Sequence, residues 1–99
     1  MTDSDTFSIT VAEDAEINVE ILLDILGNDY DVRVTKDGEE ALGSIKNDPP
    51  DLVLLDIVMP KMDGIAVCRQ LKKIDRTKDI PIIFLTSKTD NASILDGFT

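Results

Sequence analysis

The sequence predicts an α/β domain, a doubly wound parallel sheet with helices on both faces. Three observations lead there. Short β-type runs alternate with helically spaced runs along the chain, the pattern of consecutive βα units joined by crossovers. Two of the strand-length runs, Asp51 to Asp56 and Pro81 to Leu85, are apolar almost throughout, and the first is fit for burial on both faces. The chain has 99 residues, which allows one domain and one core, and it contains no repeat and no low-complexity tract.

The elements follow in order. Phe7 to Ala12 reads as the first strand, after six residues expected to be a flexible amino terminus. Ala15 to Leu26 reads as a helix, with Ile17, Ile21, Leu22, Ile25 and Leu26 at helical spacing, Asp14 as its N-cap and Gly27 as its C-cap. Tyr30 to Thr35 alternates and carries β-branched residues, a second strand. Asp37-Gly38 opens a helix that runs to Asn47 with Ala41, Leu42 and Ile45 on one face, and Pro49-Pro50 ends that unit. Asp51 to Asp56 is the third strand, and Met59 to Gly64 a loop punctuated by Pro60 and Gly64. Ile65 to Ile74 is helical, with Ile65, Val67 or Cys68, Leu71 and Ile74 available for burial. Pro81 to Leu85 is the fourth strand, and Asp90 can cap a last helix from Asn91.

Composition excludes several functions. Twenty Asp and Glu against ten Lys and Arg give a net charge of −10, which repels nucleic acid and anionic membrane and suits cations or a basic partner surface. One cysteine and no histidine leave no intramolecular disulfide, no Cys–His catalytic pair and no Cys–His zinc site. Cys68 reads as a small buried or half-buried helix residue. The start MTDSDTFS lacks a basic segment followed by an apolar one, and no apolar run is long enough to span a bilayer, so the expected address is cytoplasmic.

In an open α/β sheet, ligands bind beyond the carboxyl ends of the strands. Glu13 and Asp14 follow the first strand, and Asp56 closes the third. If those strands are neighbours, the three carboxylates converge. Two charges about 5 Å apart repel by roughly 3 kcal/mol at an effective dielectric near 20. Such a cluster raises a pKa or recruits a cation, and an all-oxygen ligand set favours Mg2+ or Ca2+ over zinc. Taken alone, Glu13-Asp14 reads first as charge complementing a helix start, whereas Asp56 ends an apolar strand beside the core. Thr86-Ser87 places two hydroxyls after the fourth strand, where they can bond a phosphoryl oxygen or start a helix.

These residues resemble the receiver domains of two-component response regulators. The stretch DLVLLDIVMPKMDG, Asp51 to Gly64, is similar to the family's phosphoacceptor strand and loop; Glu13-Asp14 matches its acidic pair, Thr86 its switch hydroxyl, and Pro81 the start of its fourth strand. The resemblance runs from about Phe7 to the end of the chain and implies a flavodoxin-like receiver fold over residues 7–99. It further implies that Asp56 takes a phosphoryl group from a phosphohistidine on a sensor histidine kinase or phosphotransfer protein. Asp14, Asp56 and the backbone carbonyl of Val58 would bind Mg2+, with Glu13 acting partly through water. Thr86 would bind the phosphoryl group and transmit the signal, and the domain would be a signalling module, not an enzyme.

The sequence departs from the family pattern in places. The acidic pair more often has aspartate where this chain has Glu13, a longer side chain of the same charge. Val58 and Lys88 occupy positions that tune phosphate lifetime, and an apolar Val58 cannot position a hydrolytic water. The family continues with a fifth strand bearing a Lys-Pro motif and a switch aromatic, then a fifth helix. These are absent from this chain, so the expected strand order is 2-1-3-4. The uncovered edge and face imply a homodimer or swapped assembly. The alternative function is a receiver-like binding module that holds metal or a partner without phosphoryl turnover. A dehalogenase-type hydrolase would need an acid at position 58, and a flavodoxin would need hydroxyls where Ala12 to Ala15 is acidic.

Overall fold

The structure is a computed structural model and describes residues 6–85. The predicted last helix, with Asp90 as its cap, lies outside the described residues, as do Thr86, Ser87, Lys88 and the first five positions. Seven elements alternate: β1 (Ser8–Ala12), α1 (Glu16–Leu26), β2 (Asp31–Thr35), α2 (Gly38–Asn47), β3 (Leu52–Asp56), α3 (Gly64–Lys72) and β4 (Ile82–Leu85). The four strands form one parallel sheet in the order β2-β1-β3-β4, as the sequence predicts. The register sets Ala12 beside both Thr35 and Leu55, and Asp56 beside Leu85. The carboxyl ends of β1 and β3 are therefore adjacent.

The period of two along each strand divides the core into two layers. Ala12, Val53 and Leu55 face α2 and α3 and pack with Ala41, Ile45, Val67, Leu71, Met59 and Ile80. Ile9, Val11 and Leu54 face the other way, toward Leu22 and Leu26 of α1. Cys68 is half-buried on α3, packed against the first of these layers. Asp37 caps α2 by accepting from the Glu40 N–H at 2.8 Å, and Asp63 caps α3 by accepting from the Ala66 N–H at 2.8 Å. Thr77 is buried after α3 and donates to the Leu71 carbonyl at 2.7 Å, satisfying one of the free carbonyls at that helix end. Among the described residues no helix is long and apolar enough to cross a membrane.

One expectation for α1 is corrected. Its N-cap is Ala15, which offers no side-chain bond, and not Asp14. The Ala15 N–H is taken instead by the Glu13 carboxylate at 3.1 Å, which leaves the exposed Asp14 uninvolved in the cap. No α1 residue is fully buried, and Ile17, Ile21 and Ile25 are 69%, 51% and 72% exposed. The helix carries two apolar stripes, and the sheet covers only the one that holds Leu22 and Leu26. Gly27 does close α1, donating its N–H to the Leu23 carbonyl at 2.9 Å.

Candidate functional site

The site stands at the carboxyl ends of β1 and β3. Glu13 and Asp14 leave β1 before α1 begins, and Asp56 is the last residue of β3. Glu13 is held from both sides: its N–H donates to the Thr35 carbonyl at 3.0 Å, and its carboxylate accepts from the Ala15 N–H. Thr35 is fixed in turn by its hydroxyl, which donates to the Val11 carbonyl at 3.0 Å. Glu13 and Asp56 are both 2% exposed, while Asp14 is open to solvent. Each of the three offers a carboxylate oxygen, and these oxygens lie within 4.8 Å of one another. The three acids that the sequence singles out at the strand ends are thus brought together.

Asp56 carries the strain of this grouping. Its burial, added to by the charge of Glu13, pushes its carboxyl from 3.8 up to about 6. The Val58 N–H, 3.4 Å from Asp56 Oδ1, works the other way, and a carboxyl–carboxyl hydrogen bond with Glu13 and the charge of Asp14 add to the rise. Like charges at 4.8 Å repel by about 3 kcal/mol per pair at an effective dielectric near 20. A hard divalent cation relieves that repulsion, and carboxylate oxygens are the donors it prefers. The donor set therefore fits Mg2+: two buried carboxyls with no salt-bridge partner among the described residues, and a third that opens to water.

The elevated carboxyl has a measurable consequence. An acid with a higher pKa folded than unfolded binds more protons in the folded state between the two values, so its contribution to stability falls as pH rises through that interval. Relative to Asp56→Asn, the metal-free protein is expected to lose about 2 kcal/mol of stability between pH 4 and pH 6 and a few tenths more by pH 7, where the loss levels off. Millimolar Mg2+ at neutral pH is expected to recover most of that loss. Urea unfolding of both proteins in chelator and in Mg2+ measures it. A difference that stays flat from pH 4 to pH 7 contradicts the assigned environment of Asp56.

The loop after β3 turns sharply beside the site. The Gly64 N–H donates to the Ile57 carbonyl at 2.8 Å, and the Met62 N–H to the Pro60 carbonyl at 2.7 Å. Gly64 lies against the Asp56 peptide so closely that a Cβ there would meet the Asp56 carbonyl oxygen and stand 3.0 Å from its carbon. A side chain at 64 would push directly on the backbone of the candidate nucleophile. Val58 is half exposed, with its N–H directed to Asp56. Thr86, the expected phosphoryl-binding hydroxyl, lies outside the described residues. Gly38 of α2 meets this loop at Met62, a contact that no local window of the sequence foretells, and Lys61 beside it takes a left-handed backbone, φ 70°.

Comparison with known proteins agrees with this geometry. The family model of the response regulator receiver domain matches residues 9–99. The chain is 42% identical over 91 residues to a probable transcriptional regulator, ycf27, of Porphyridium aerugineum, covering 90% of this chain and 36% of that protein. The chain thus spans about a third of that relative's length. Among solved structures it is similar to the N-terminal domain of a response regulator receiver protein from Methanoculleus marisnigri JR1, with 35% identity and a TM-score of 0.77, covering 92% of this chain and 76% of that one. It is also similar to the Mn2+-bound form of the response regulator Rcp1, with 25% identity and a TM-score of 0.81 over 93% of this chain and 73% of that one.

Proposed function

The chain belongs to the receiver domains of two-component response regulators, and on that premise we propose that it accepts a phosphoryl group on Asp56 with the aid of Mg2+. The observation that carries this reading is the convergence of Glu13, Asp14 and Asp56 within 4.8 Å at the end of a buried strand. Asp56 is the nucleophile. It is the buried acid at the close of β3, and its neighbour Val58 supplies an N–H that orients one carboxylate oxygen. The other oxygen attacks the phosphorus of a phosphohistidine on a histidine kinase or phosphotransfer protein. The P–N bond breaks, the imidazole leaves with its electron pair and takes a proton, and an acyl phosphate remains on Asp56.

Asp14 and Asp56 would hold Mg2+ directly with the Val58 carbonyl, and Glu13 would assist through water. When bound, the ion supplies charge neutralisation for the anionic donor and the attacking carboxylate. Glu13 has a second duty, since its bond to the Ala15 N–H fixes the start of α1 and so the place of Asp14. That the response regulator Rcp1 has a Mn2+-bound form supports a divalent cation as the ligand of this fold. Thr86 would receive the phosphoryl oxygens and relay the change. The domain would occupy residues 7–99, act in the cytoplasm, and answer to a protein partner in preference to nucleic acid or membrane.

Titration with Mg2+, followed by amide NMR shifts, tests the metal assignment. The signals of Glu13, Asp14, Asp56 and Val58 are expected to move first. Asp14→Ala is expected to weaken binding by about tenfold or more, through loss of an exposed ligand whose removal leaves the core untouched. Undiminished Mg2+ binding in Asp14→Ala places the cation elsewhere.

A further inference from the structure

We infer that the first turn of α2 is a clasp on the loop between Asp56 and Gly64, with Gly38 and Lys61 as positioning residues for the metal and phosphoryl site. This rests on the function proposed above and adds to it residues that touch neither metal nor phosphorus. The loop must hold the Val58 peptide and the Asp56 carboxyl in fixed places, yet it has little bonding of its own. Gly64 fixes its far end through the bond to the Ile57 carbonyl. Met59 is buried, and Met62 packs against the same core layer. The apex, Lys61-Met62, is held by α2.

Two contacts make the clasp. The Gly38 backbone lies against the Met62 peptide: a Cβ at Gly38 would fall on the Met62 carbonyl oxygen, 2.6 Å from its carbon and 2.7 Å from the Met62 Cβ. The obstacle is mostly backbone, so a flexible side chain cannot swing away to relieve it. Beside it, Lys61 takes φ 70°, a conformation that a residue with a Cβ keeps only when its surroundings hold it there. Its Nζ lies 3.8 Å from Asp37 Oδ2. The other oxygen of Asp37 caps α2, so one carboxylate both starts the helix and holds the loop. The Glu40 carboxylate accepts from the Lys36 N–H at 2.9 Å and steadies the same turn.

A side chain at Gly38 forces the loop apex to retreat by on the order of 1 Å, and displacements of that size beside a reactive centre cost far more in function than in folding. The loop is short, the Gly64 N–H ties its far end to the Ile57 carbonyl and the Val58 N–H its near end to the Asp56 carboxylate, so the retreat reaches Val58 and Asp56. A glycine needed only for packing would lower the melting temperature and leave the affinity of the folded protein for Mg2+ as it was.

The test is Mg2+ titration of the full chain by amide NMR, with thermal unfolding in parallel. Gly38→Ala is expected to weaken Mg2+ binding by about tenfold or more. Gly43→Ala sits in the same helix with nothing within 4 Å of its Cβ, and is expected to bind Mg2+ as the parent does while melting higher. The double variant Gly38→Ala/Gly43→Ala keeps the question answerable if the single one is poorly folded, and it too is expected to show the weakened affinity. Lys61→Met separates positioning from charge. Removal of a cation near carboxylates tightens Mg2+ binding by electrostatics alone, whereas loss of the clasp weakens it. Affinity within about threefold of the parent in both Gly38 variants overturns the clasp, whatever their melting temperatures. Unchanged or tighter binding in Lys61→Met removes Lys61 from it. If the parent's Glu13, Asp14 and Asp56 signals ignore Mg2+, it is the proposed function that fails.

Discussion

Asp56→Asn is expected to abolish phosphoryl uptake and, at neutral pH, to make the metal-free protein more stable. Both effects come from the same side chain. Asparagine keeps the shape of aspartate at a site that is 2% exposed, so the packing around the end of β3 is preserved. The amide cannot attack phosphorus as a carboxylate does, which removes the nucleophile outright. It also removes the charge that burial and Glu13 oppose, the cause of the rise of the Asp56 carboxyl to about 6. The gain in stability at pH 7 in chelator is expected to be about 3 kcal/mol, since the parent then bears an ionised, partly desolvated carboxylate. The measurement is intact mass after incubation of the full-length protein with Mg2+ and a small acyl phosphate donor, beside denaturant unfolding. A phosphoryl-sized mass gain that persists in Asp56→Asn puts the acceptor on another residue.

Leu55→Ala is expected to have the largest effect on folding. Leu55 is fully buried on β3, one residue before the nucleophile, and faces the layer shared with Ile45, Val67 and Leu71. Truncation removes three heavy atoms from a packed interior and leaves a cavity, which costs about 2–5 kcal/mol. A domain of this size has about 5–15 kcal/mol in total, so the melting temperature is expected to fall by roughly 10 °C or more. Ile25→Gln offers the contrast: Ile25 is 72% exposed, and its replacement is expected to change stability by less than about 0.5 kcal/mol. Thermal or urea unfolding of the two variants decides the matter. A Leu55→Ala protein within about 1 kcal/mol of the parent would mean that this layer is not the core.

The pattern of elements was legible because each rests on a local signal. The apolar runs Leu52 to Leu55 and Ile82 to Leu85 are the central strand β3 and its outer neighbour β4 in the described sheet, and Asp37 caps α2 where the sequence places it. Strand ends differ by a residue at Phe7, Tyr30, Asp51 and Pro81, because pairing begins one position inside each predicted run. The α1 surface was not legible. Ile17, Ile21 and Ile25 lie on one stripe and Leu22 and Leu26 on another, and spacing alone does not say which stripe meets the sheet. Asp14 has the composition of a cap, but the Glu13 carboxylate reaches the Ala15 N–H first.

The site divides in the same way. Asp56 stands out in sequence because a charge at the end of an apolar strand calls for a reason. Its meeting with Glu13 and Asp14 depends on β1 lying beside β3, which no local window contains and which follows only from the order of strands. Gly38 read simply as the opening of a helix. That its backbone lies against Met62, some two dozen positions along the chain, is a fact of packing between α2 and the loop after β3.

The most direct test is to locate the phosphoryl group itself. An acyl phosphate is cleaved by borohydride to an alcohol, which converts a phosphorylated aspartate to homoserine and leaves free carboxylates unchanged. The full-length protein, phosphorylated with Mg2+ and then reduced, is expected to yield homoserine at position 56 alone, with none when Mg2+ is withheld. Homoserine at Asp14 or at any other aspartate, or no conversion at Asp56 in a protein that has gained phosphoryl mass, contradicts Asp56 as the acceptor.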